Sequence, residues 1–134
     1  MILFKAKLAR IEKCQSIFYS IEFPEKNYSF LHGDLTKWFN QGIFLLNSSL
    51  TVIENKSNSH QYLWNDFTNI IIEYIDSNRN NIIFLLLGNF AINKKKYILN
   101  NKIITGVHPS PLSAHNGFFN SNIFKNIENI DWSI

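Results

Sequence analysis

The stretch Ile82-Ile-Phe-Leu-Leu-Leu87 decides the fold class that this sequence predicts. A short, continuous apolar run is typical of a strand that is covered on both faces, as strands are in parallel sheets. Residues 43–46 form a similar run earlier in the chain, and residues 102–107, which contain Ile103, Ile104 and Val107, form a third, less continuous one. The three runs predict three strands of one buried sheet.

Segments with helical periodicity lie between and after these runs. An amphipathic helix is predicted by apolar residues at helical spacing, namely Phe67, Ile70, Ile71, Tyr74 and Ile75. The polar residues fall mostly on the opposite side, namely Asp66, Asn69, Glu73 and Asp76. Residues 91–99 predict a basic helix and residues 121–128 a closing helix. Strands that alternate with helices imply a parallel sheet, so the predicted fold class is α/β, with helices flanking the sheet.

Two shorter helices are predicted nearer the amino terminus. Apolar residues at spacings of four and three predict a helix over residues 2–13, namely Phe4, Leu8 and Ile11. Asp34 is expected to cap a second helix, and Gly42 lies where a C-terminal glycine would end it. The apolar residues of this second helix are Leu35, Trp38 and Phe39.

The composition indicates one globular domain, spanning residues 1–134. With 46% hydrophobic and 17% charged residues in 134 positions, the chain can bury a core. Its formal charge of +3 permits an anionic partner but is too small to identify one. The single cysteine, Cys14, excludes an internal disulfide and fits a reducing compartment.

Several classes of protein are disfavoured by what the sequence contains. No apolar run approaches the roughly 20 residues that cross a bilayer, and the basic residues at the start follow the apolar ones, which is the wrong order for a secretory signal. We therefore expect no membrane partner and a cytoplasmic location, or a nuclear one in a eukaryote. The four histidines and one cysteine lack metal-ligand spacing, and no Gly-rich phosphate motif is present. No metal or cofactor is expected.

A proline-containing loop follows the third apolar run. Pro109 and Pro111 fix their own φ angles and push the preceding residues toward extended geometry, so His108 and Ser110 are held out of helix. Such a loop is stiff and protruding, and it holds an imidazole, a hydroxyl and the exposed side chain of Leu112 in fixed positions. This arrangement suits a binding site better than a linker.

The predicted strands also end in polar residues. Two of the runs are followed directly by a polar residue, namely Asn47 and His108. The run that ends at Leu87 is followed by Gly88 and then Asn89. Because ligands bind at the carboxyl ends of strands in open parallel sheets, we expect these side chains to converge on one crevice. Each residue also has a simpler interpretation, since Asn47 is a common turn residue and a lone histidine is more often structural.

The segment His108-Pro-Ser-Pro-Leu-Ser-Ala-His-Asn-Gly-Phe-Phe119 resembles the signature loop of family 1 uracil-DNA glycosylases. Four other segments resemble the family in the same order, namely His32-Gly33, Gly42-Ile-Phe-Leu-Leu-Asn47, Asn58-Ser59-His60 and Ile82-Ile-Phe-Leu-Leu-Leu-Gly88. The resemblance covers residues 14–134 and leaves residues 1–13 unmatched. It implies a parallel sheet flanked by helices, of which three of four strands are recognisable here, and a helix over residues 14–23.

The resemblance implies roles for residues of the predicted crevice. Asn47 would bind the Watson–Crick edge of uracil, and His108 would donate a hydrogen bond to uracil O2 and stabilise the charge on the departing base. Leu112 would wedge into the duplex and fill the space of the extruded nucleotide. Other residues would contact DNA, chiefly its phosphates, namely Ser16, Asn89, Ser110, Ser113 and His115. His115 would alternatively order the loop.

The resemblance also has a gap. Family members carry a Gly-Gln-Asp-Pro-Tyr-His loop upstream, with the aspartate that activates water, and this sequence contains no match to it. We therefore expect a uracil-DNA glycosylase of base-excision repair whose activity is severely impaired. The alternatives are a non-catalytic DNA-binding or assembly module and a decaying gene fragment that does not fold alone. The expected partner is uracil-containing DNA, bound by a monomer or together with a complementing chain.

Overall fold

The computed structural model describes residues 34–56, 58–110, 112–119 and 121–132. The helices and strands in this part are, in chain order, α1 (Thr36–Asn40), α2 (Gln61–Asn78), β1 (Ile83–Leu87), α3 (Asn89–Ile92) and β2 (Lys102–Gly106). Short 3-10 helices cover Asn93–Tyr97, Ala114–Asn116 and Ile123–Asn126. The helices predicted over residues 2–13 and 14–23, and the predicted DNA contact Ser16, lie outside the described residues.

The two strands form a parallel pair. Ile83 lies opposite Lys102 and Leu87 lies opposite Gly106, and the connection between the strands runs through α3 and the first 3-10 helix. Residues 84–87 are buried, because the two faces of β1 are both covered. The predicted α/β class with a parallel sheet is confirmed.

The side chains of β1 point alternately into two apolar clusters. Leu85 and Leu87 belong to a cluster that contains α1 and the carboxyl-terminal aromatic residues, whereas Phe84 and Leu86 pack with Ile72 of α2. Successive side chains of a strand point to opposite faces, so one short strand serves both halves of the core. β1 is thus the centre of the described part of the protein.

The strand predicted over residues 43–46 is not a strand in the structure. Its side chains nevertheless alternate as those of β1 do, with Ile43 and Leu45 in the first cluster and Leu46 in the second. Strands are defined by backbone pairing, and within the described residues β1 and β2 pair only with each other. An apolar run favours burial, which Ile43 and Leu46 have and Phe44 does not, and it does not specify a pairing partner.

The predicted orientation of α2 is wrong in part. Ile71 and Ile75 do pack against the second cluster, but Phe67, Ile70 and Tyr74 are exposed. The fully buried face of the helix consists of Thr68, Asn69, Ile72 and Asp76. Three of these four residues are polar and hydrogen-bonded in the interior, and hydrophobic periodicity does not detect buried polar residues of this kind.

The first short helix ends as predicted, but its N-cap residue is Leu35 and Asp34 precedes it. The Asp34 carboxylate accepts hydrogen bonds from the backbone N–H and the hydroxyl of Thr36 at the start of α1. Gly42 adopts a φ of +83° just after the helix, a conformation that glycine tolerates. Trp38 of α1 is buried edge-on against Trp132, with ring centroids 5.5 Å apart, and donates a hydrogen bond to the Trp132 carbonyl at 3.1 Å.

The two helices predicted nearer the carboxyl terminus are shorter than expected. The basic segment is α3 followed by the 3-10 helix Asn93–Tyr97, and the closing helix is only the 3-10 helix Ile123–Asn126. Asn122 and Asn129 have positive φ values on either side of the latter, and left-handed residues interrupt an α-helix. None of the helices in the described part of the chain is long and apolar enough to cross a membrane.

A buried carboxylate connects α2 to the segment before β2. Asp76 accepts hydrogen bonds from the backbone N–H groups of Leu99 and Asn100 and from the side chains of Asn100 and Asn101, at 2.7 to 3.2 Å. Burial by itself raises the pKa of Asp76, but these hydrogen bonds outweigh it and hold the pKa below its ordinary value. The carboxylate therefore stabilises the fold in its ionised form.

The substitution Asp76→Asn is expected to lower the free energy of unfolding at pH 7 by about 1–3 kcal/mol, because an amide NH2 would face backbone donors. A lowered pKa in the folded state means that the unfolded chain binds more protons near pH 4. The wild type should thus lose stability as the pH falls through the folded pKa, and the variant should lose less. Urea denaturation at pH 7 and pH 3.5 measures both effects.

A control for this substitution is Asp131→Asn, which removes an exposed ion pair with Lys37. Exposed pairs contribute little, so the control should change the free energy of unfolding by less than about 1 kcal/mol. Equal losses in the two variants would contradict the assigned role of Asp76.

Candidate functional site

The carboxyl ends of β1 and β2 meet at Gly88 and His108. The backbone N–H of Gly88 donates a hydrogen bond to the Gly106 carbonyl at 2.8 Å. Gly88 has a φ of +83°, and a Cβ atom at this position would lie 3.0 Å from Cβ of His108. The His108 side chain therefore lies directly against the backbone that leaves β1, and only glycine permits both the conformation and the contact.

The hydrogen bonding of His108 defines its tautomer. The backbone N–H of Ser110 donates to Nδ1 of His108 at 3.1 Å, so Nδ1 is an acceptor and the proton of the neutral ring is on Nε2. Burial lowers the pKa of His108 below its ordinary value. At neutral pH the ring is thus an uncharged imidazole whose Nε2–H is a hydrogen-bond donor.

A histidine titration by NMR is expected to show His108 with a midpoint below about 6.5, because burial disfavours the charged ring. The nitrogen chemical shifts at pH 7.5 should show the proton on Nε2. Because the unfolded state binds this proton more readily, protonation opposes folding. The contribution of His108 to the free energy of unfolding should therefore decrease as the pH falls through the pKa of the folded state. The spectrum of His108→Gln assigns the resonance, and a midpoint above 6.5 or a proton on Nδ1 would contradict this geometry.

The loop after His108 is fixed by its own hydrogen bonds. The Ser113 hydroxyl donates to the His108 carbonyl at 3.0 Å and lies 2.7 Å from the Ser110 hydroxyl. A hydroxyl has one proton, so Ser110 must be the donor to Ser113. Both protons are used inside the loop, and a phosphate contact through either hydroxyl, which remains a prediction, requires one of these bonds to open.

The tip of this loop carries an exposed apolar side chain. Leu112 is 87% exposed, whereas Ala114 and Phe118 that follow it are buried in the first apolar cluster. The residues that follow the tip thus anchor the loop in the core, while Leu112 is exposed to solvent. His115 is exposed within the 3-10 helix Ala114–Asn116.

The remaining predicted site residues lie at the ends of the other apolar runs. Asn47 is partly buried directly after residues 43–46, and Asn89 is exposed as the first residue of α3. The structure brings Gly88, His108, Ser110 and Ser113 together. The predicted convergence of Asn47 on the same crevice stays a prediction.

The segment after Asn47 is attached to the start of α2 by polar contacts. Thr51 Oγ1 lies 2.9 Å from Nδ1 of His60 and accepts a hydrogen bond from the indole N–H of Trp64 at 2.8 Å. The Ser59 hydroxyl accepts a hydrogen bond from the backbone N–H of Ile53 at 2.8 Å. His60 and Ser59 therefore have a structural role, since they attach the segment after Asn47 to the start of α2.

Lys94, which belongs to the predicted basic helix, is buried rather than solvent-exposed. Its ammonium group donates hydrogen bonds to the side-chain oxygens of Asn65 and Asn69 on α2. Burial lowers the pKa of Lys94, and the nearby charge of Asp66 opposes that shift. Three lysines occur in sequence and the other two, Lys95 and Lys96, are exposed, so the sequence offered no signal for which one is buried. Within the described ranges no cluster of histidine, cysteine and acidic residues could hold a metal ion.

The geometry defines a class of protein, namely an open α/β fold whose candidate binding groups lie where parallel strands end, beside a rigid loop with an apolar tip. The sequence model of the uracil DNA glycosylase superfamily matches residues 11–130. The chain belongs to this superfamily.

Individual relatives agree with this assignment. The uracil-DNA glycosylase of Borrelia turicatae is 50% identical over 114 residues, which are 83% of this chain and 51% of the relative. That of Alkaliphilus oremlandii is 45% identical over 115 residues, or 77% of this chain and 51% of the relative. The crystal structure of mimivirus uracil-DNA glycosylase aligns with a TM-score of 0.70 and 33% identity, covering 78% of this chain and 39% of that one. The chain thus spans about half the length of the curated relatives it matches.

Proposed function

We propose that this chain is a uracil-DNA glycosylase, which hydrolyses the N-glycosidic bond of flipped deoxyuridine in base-excision repair. The observation that carries the proposal is the neutral imidazole of His108, fixed against Gly88 with its proton on Nε2. A neutral donor can stabilise the negative charge that uracil develops at O2 as it departs. It does so without a proton transfer, as donors of an oxyanion hole do.

Two further residues complete the proposed site. Asn47 offers a donor and an acceptor to the ring N–H and carbonyl of uracil, and its partial burial would exclude water from those bonds. Leu112, exposed on a rigid loop, fills the space that the flipped nucleotide leaves in a duplex. The backbone of the DNA would be held by Ser110, Ser113, His115 and Asn89, with Ser16 as a further predicted contact.

We propose that activity of this chain alone is severely impaired. The resemblance places the water-activating aspartate in a loop that this sequence does not match, and loss of a positioned general base costs about 10²- to 10⁴-fold in rate. A complementing polypeptide that supplies the loop would restore the rate.

The second candidate is a non-catalytic DNA-binding module. The exposed side chains of Lys95 and Lys96 favour this function, since both lie close in sequence to the end of β1. Phosphate contacts by lysines give salt-dependent binding without any chemistry. The two candidates therefore differ in product formation but not in DNA affinity.

A single-turnover assay with uracil-containing oligonucleotides tests the proposal. The chain in excess should form abasic sites slowly, and His108→Ala should lower the rate by about 10²- to 10³-fold, because a donor to the developing charge is lost. Alkaline cleavage of the product measures the rate. Salt-sensitive binding without abasic sites would favour the module instead, and a chain with no cooperative thermal transition would contradict both.

The wedge role is tested by comparing two substrates. Leu112→Ala should lower excision from a duplex by about tenfold or more and leave excision from a single strand unchanged, because only the duplex must be unstacked. Leu99→Ala is the matched control, since Leu99 is similarly exposed on another segment. Equal losses on both substrates would contradict the wedge.

A further inference from the structure

An exposed aromatic side chain lies beside the candidate site. Phe90 is 53% exposed and is the second residue of α3, which begins where β1 ends. It follows Gly88 by two residues, so the Cα atoms of these two residues lie within about 7 Å of each other. Helical side chains tilt toward the N-terminus of their helix. The ring of Phe90 therefore leans back toward the strand ends, where Gly88 contacts His108.

Phe90 is the first member of a row of exposed side chains. Asn93 and Lys96 follow it at intervals of three residues, and both are exposed. Residues three apart are neighbours on a helix, and in a 3-10 helix they lie in line. Ala91 and Lys94, which are also three apart, are buried on the other side of the same segment. We call Phe90, Asn93 and Lys96 the Phe90 row.

Two contacts fix the segment that carries this row. The buried ammonium group of Lys94 donates hydrogen bonds to Asn65 and Asn69 of α2. The ammonium group of Lys96 lies 5.0 Å from the centre of the Tyr97 ring, at a distance where a cation is attracted to an aromatic face. A surface that is already ordered loses less conformational entropy when it binds a ligand.

The chemistry of the Phe90 row fits a single strand of nucleic acid. An aromatic ring, an amide and a cation lie along roughly 10 Å of helix. Residues 88–102 contain four lysines and no aspartate or glutamate. Proteins that bind single strands combine aromatic side chains, on which bases stack, with cations that contact phosphates. One exposed phenylalanine is ordinary by itself, whereas its position beside His108 and in line with Lys96 favours this ligand.

We propose that Phe90 stacks on an unpaired base of single-stranded DNA close to the uracil, while Lys96 contacts a phosphate of the same strand. Stacking of this kind acts on unpaired strands, because in a duplex the faces of each base are covered by its neighbours. The inference rests on the proposed function in that the bound strand is the flank of the substrate. It assigns Phe90 to single strands, as Leu112 is assigned to duplexes.

Binding to two DNA probes tests the stacking. One probe is a short thymidine oligonucleotide without uracil, and the other has the same length and phosphates but lacks bases. In fluorescence anisotropy titrations the wild type should bind the first probe more tightly, because the ring of Phe90 then has a base to stack on. Phe90→Ala should lower this preference by about tenfold, with little change in the affinity for the probe without bases.

Further substitutions separate stacking from apolar bulk and from charge. Phe90→Trp should keep the preference, since a larger ring also stacks, whereas Phe90→Leu should lose it as the alanine variant does. Lys96→Gln should weaken binding of both probes alike and reduce the salt dependence, because a phosphate contact is lost. Tyr74→Ala is the matched control at an exposed aromatic residue of α2 and should bind both probes as the wild type does.

Four results would each overturn the inference. They are a wild type without a preference for the probe that carries bases, an unchanged preference in Phe90→Ala, a wild-type preference in Phe90→Leu, and an equal loss in Tyr74→Ala. All four side chains that are changed in this series are exposed or partly exposed, so every variant should keep the circular dichroism spectrum of the wild type.

Excision of uracil from a single strand is measured in a separate assay. Phe90→Ala should raise the protein concentration that gives the half-maximal rate by about tenfold, and should affect this concentration more than the maximal rate, because stacking holds the strand. A base preference that depends on Phe90 without any excision would support the stacking and contradict the proposed function. Excision with the same concentration dependence in Phe90→Ala and the wild type would overturn the stacking alone.

Discussion

The parallel pairing of β1 with β2 is the constraint on which the rest of the described structure depends. It brings Gly88 and Gly106 within hydrogen-bonding distance and so places the two strand ends side by side. His108 follows β2 by two residues, and its ring position is set by the backbone of Gly88. A shift in the register of this pair would move His108 away from the glycine that accommodates it. The site geometry is therefore a consequence of strand pairing.

Buried polar groups determine how α2 packs on that sheet. Asp76 binds the segment before β2, and Lys94 reaches from the 3-10 helix Asn93–Tyr97 to Asn65 and Asn69. An unpaired buried charge is costly, so each group must keep its partners. These hydrogen bonds orient α2 so that Asn69 and Asp76 face the interior, while apolar residues of the same helix such as Ile70 and Tyr74 are exposed to solvent.

Much of the fold can be predicted from the sequence, and each wrong prediction has a physical cause. The strands β1 and β2, the cap of α1 and the stiff loop at His108 follow from local rules, because apolar runs, caps and prolines act over a few residues. The segment 43–46 is not a strand, because a continuous apolar run does not specify a pairing partner. The orientation of α2 differs from the prediction because Asn69 and Asp76 are buried by partners far away in sequence.

The candidate site, too, can be predicted from the sequence only in part. Its residues could be named from the sequence, since they follow apolar runs and match a family motif. The support of His108 by Gly88, the position of its proton and the closed hydrogen bonding of Ser110 with Ser113 depend on atoms that only a fold brings together.

That closed hydrogen bonding has a further consequence for how the loop persists. The polar contacts that Ser110 and Ser113 make lie within residues 108–116, and burial of Ala114 and Phe118 secures the base of the loop. A structure that satisfies its own polar groups carries its shape with it when neighbouring segments are rebuilt. The shape of the His108 loop is thus set largely inside the loop, whereas its placement is set by the backbone of Gly88 and by the core beneath it.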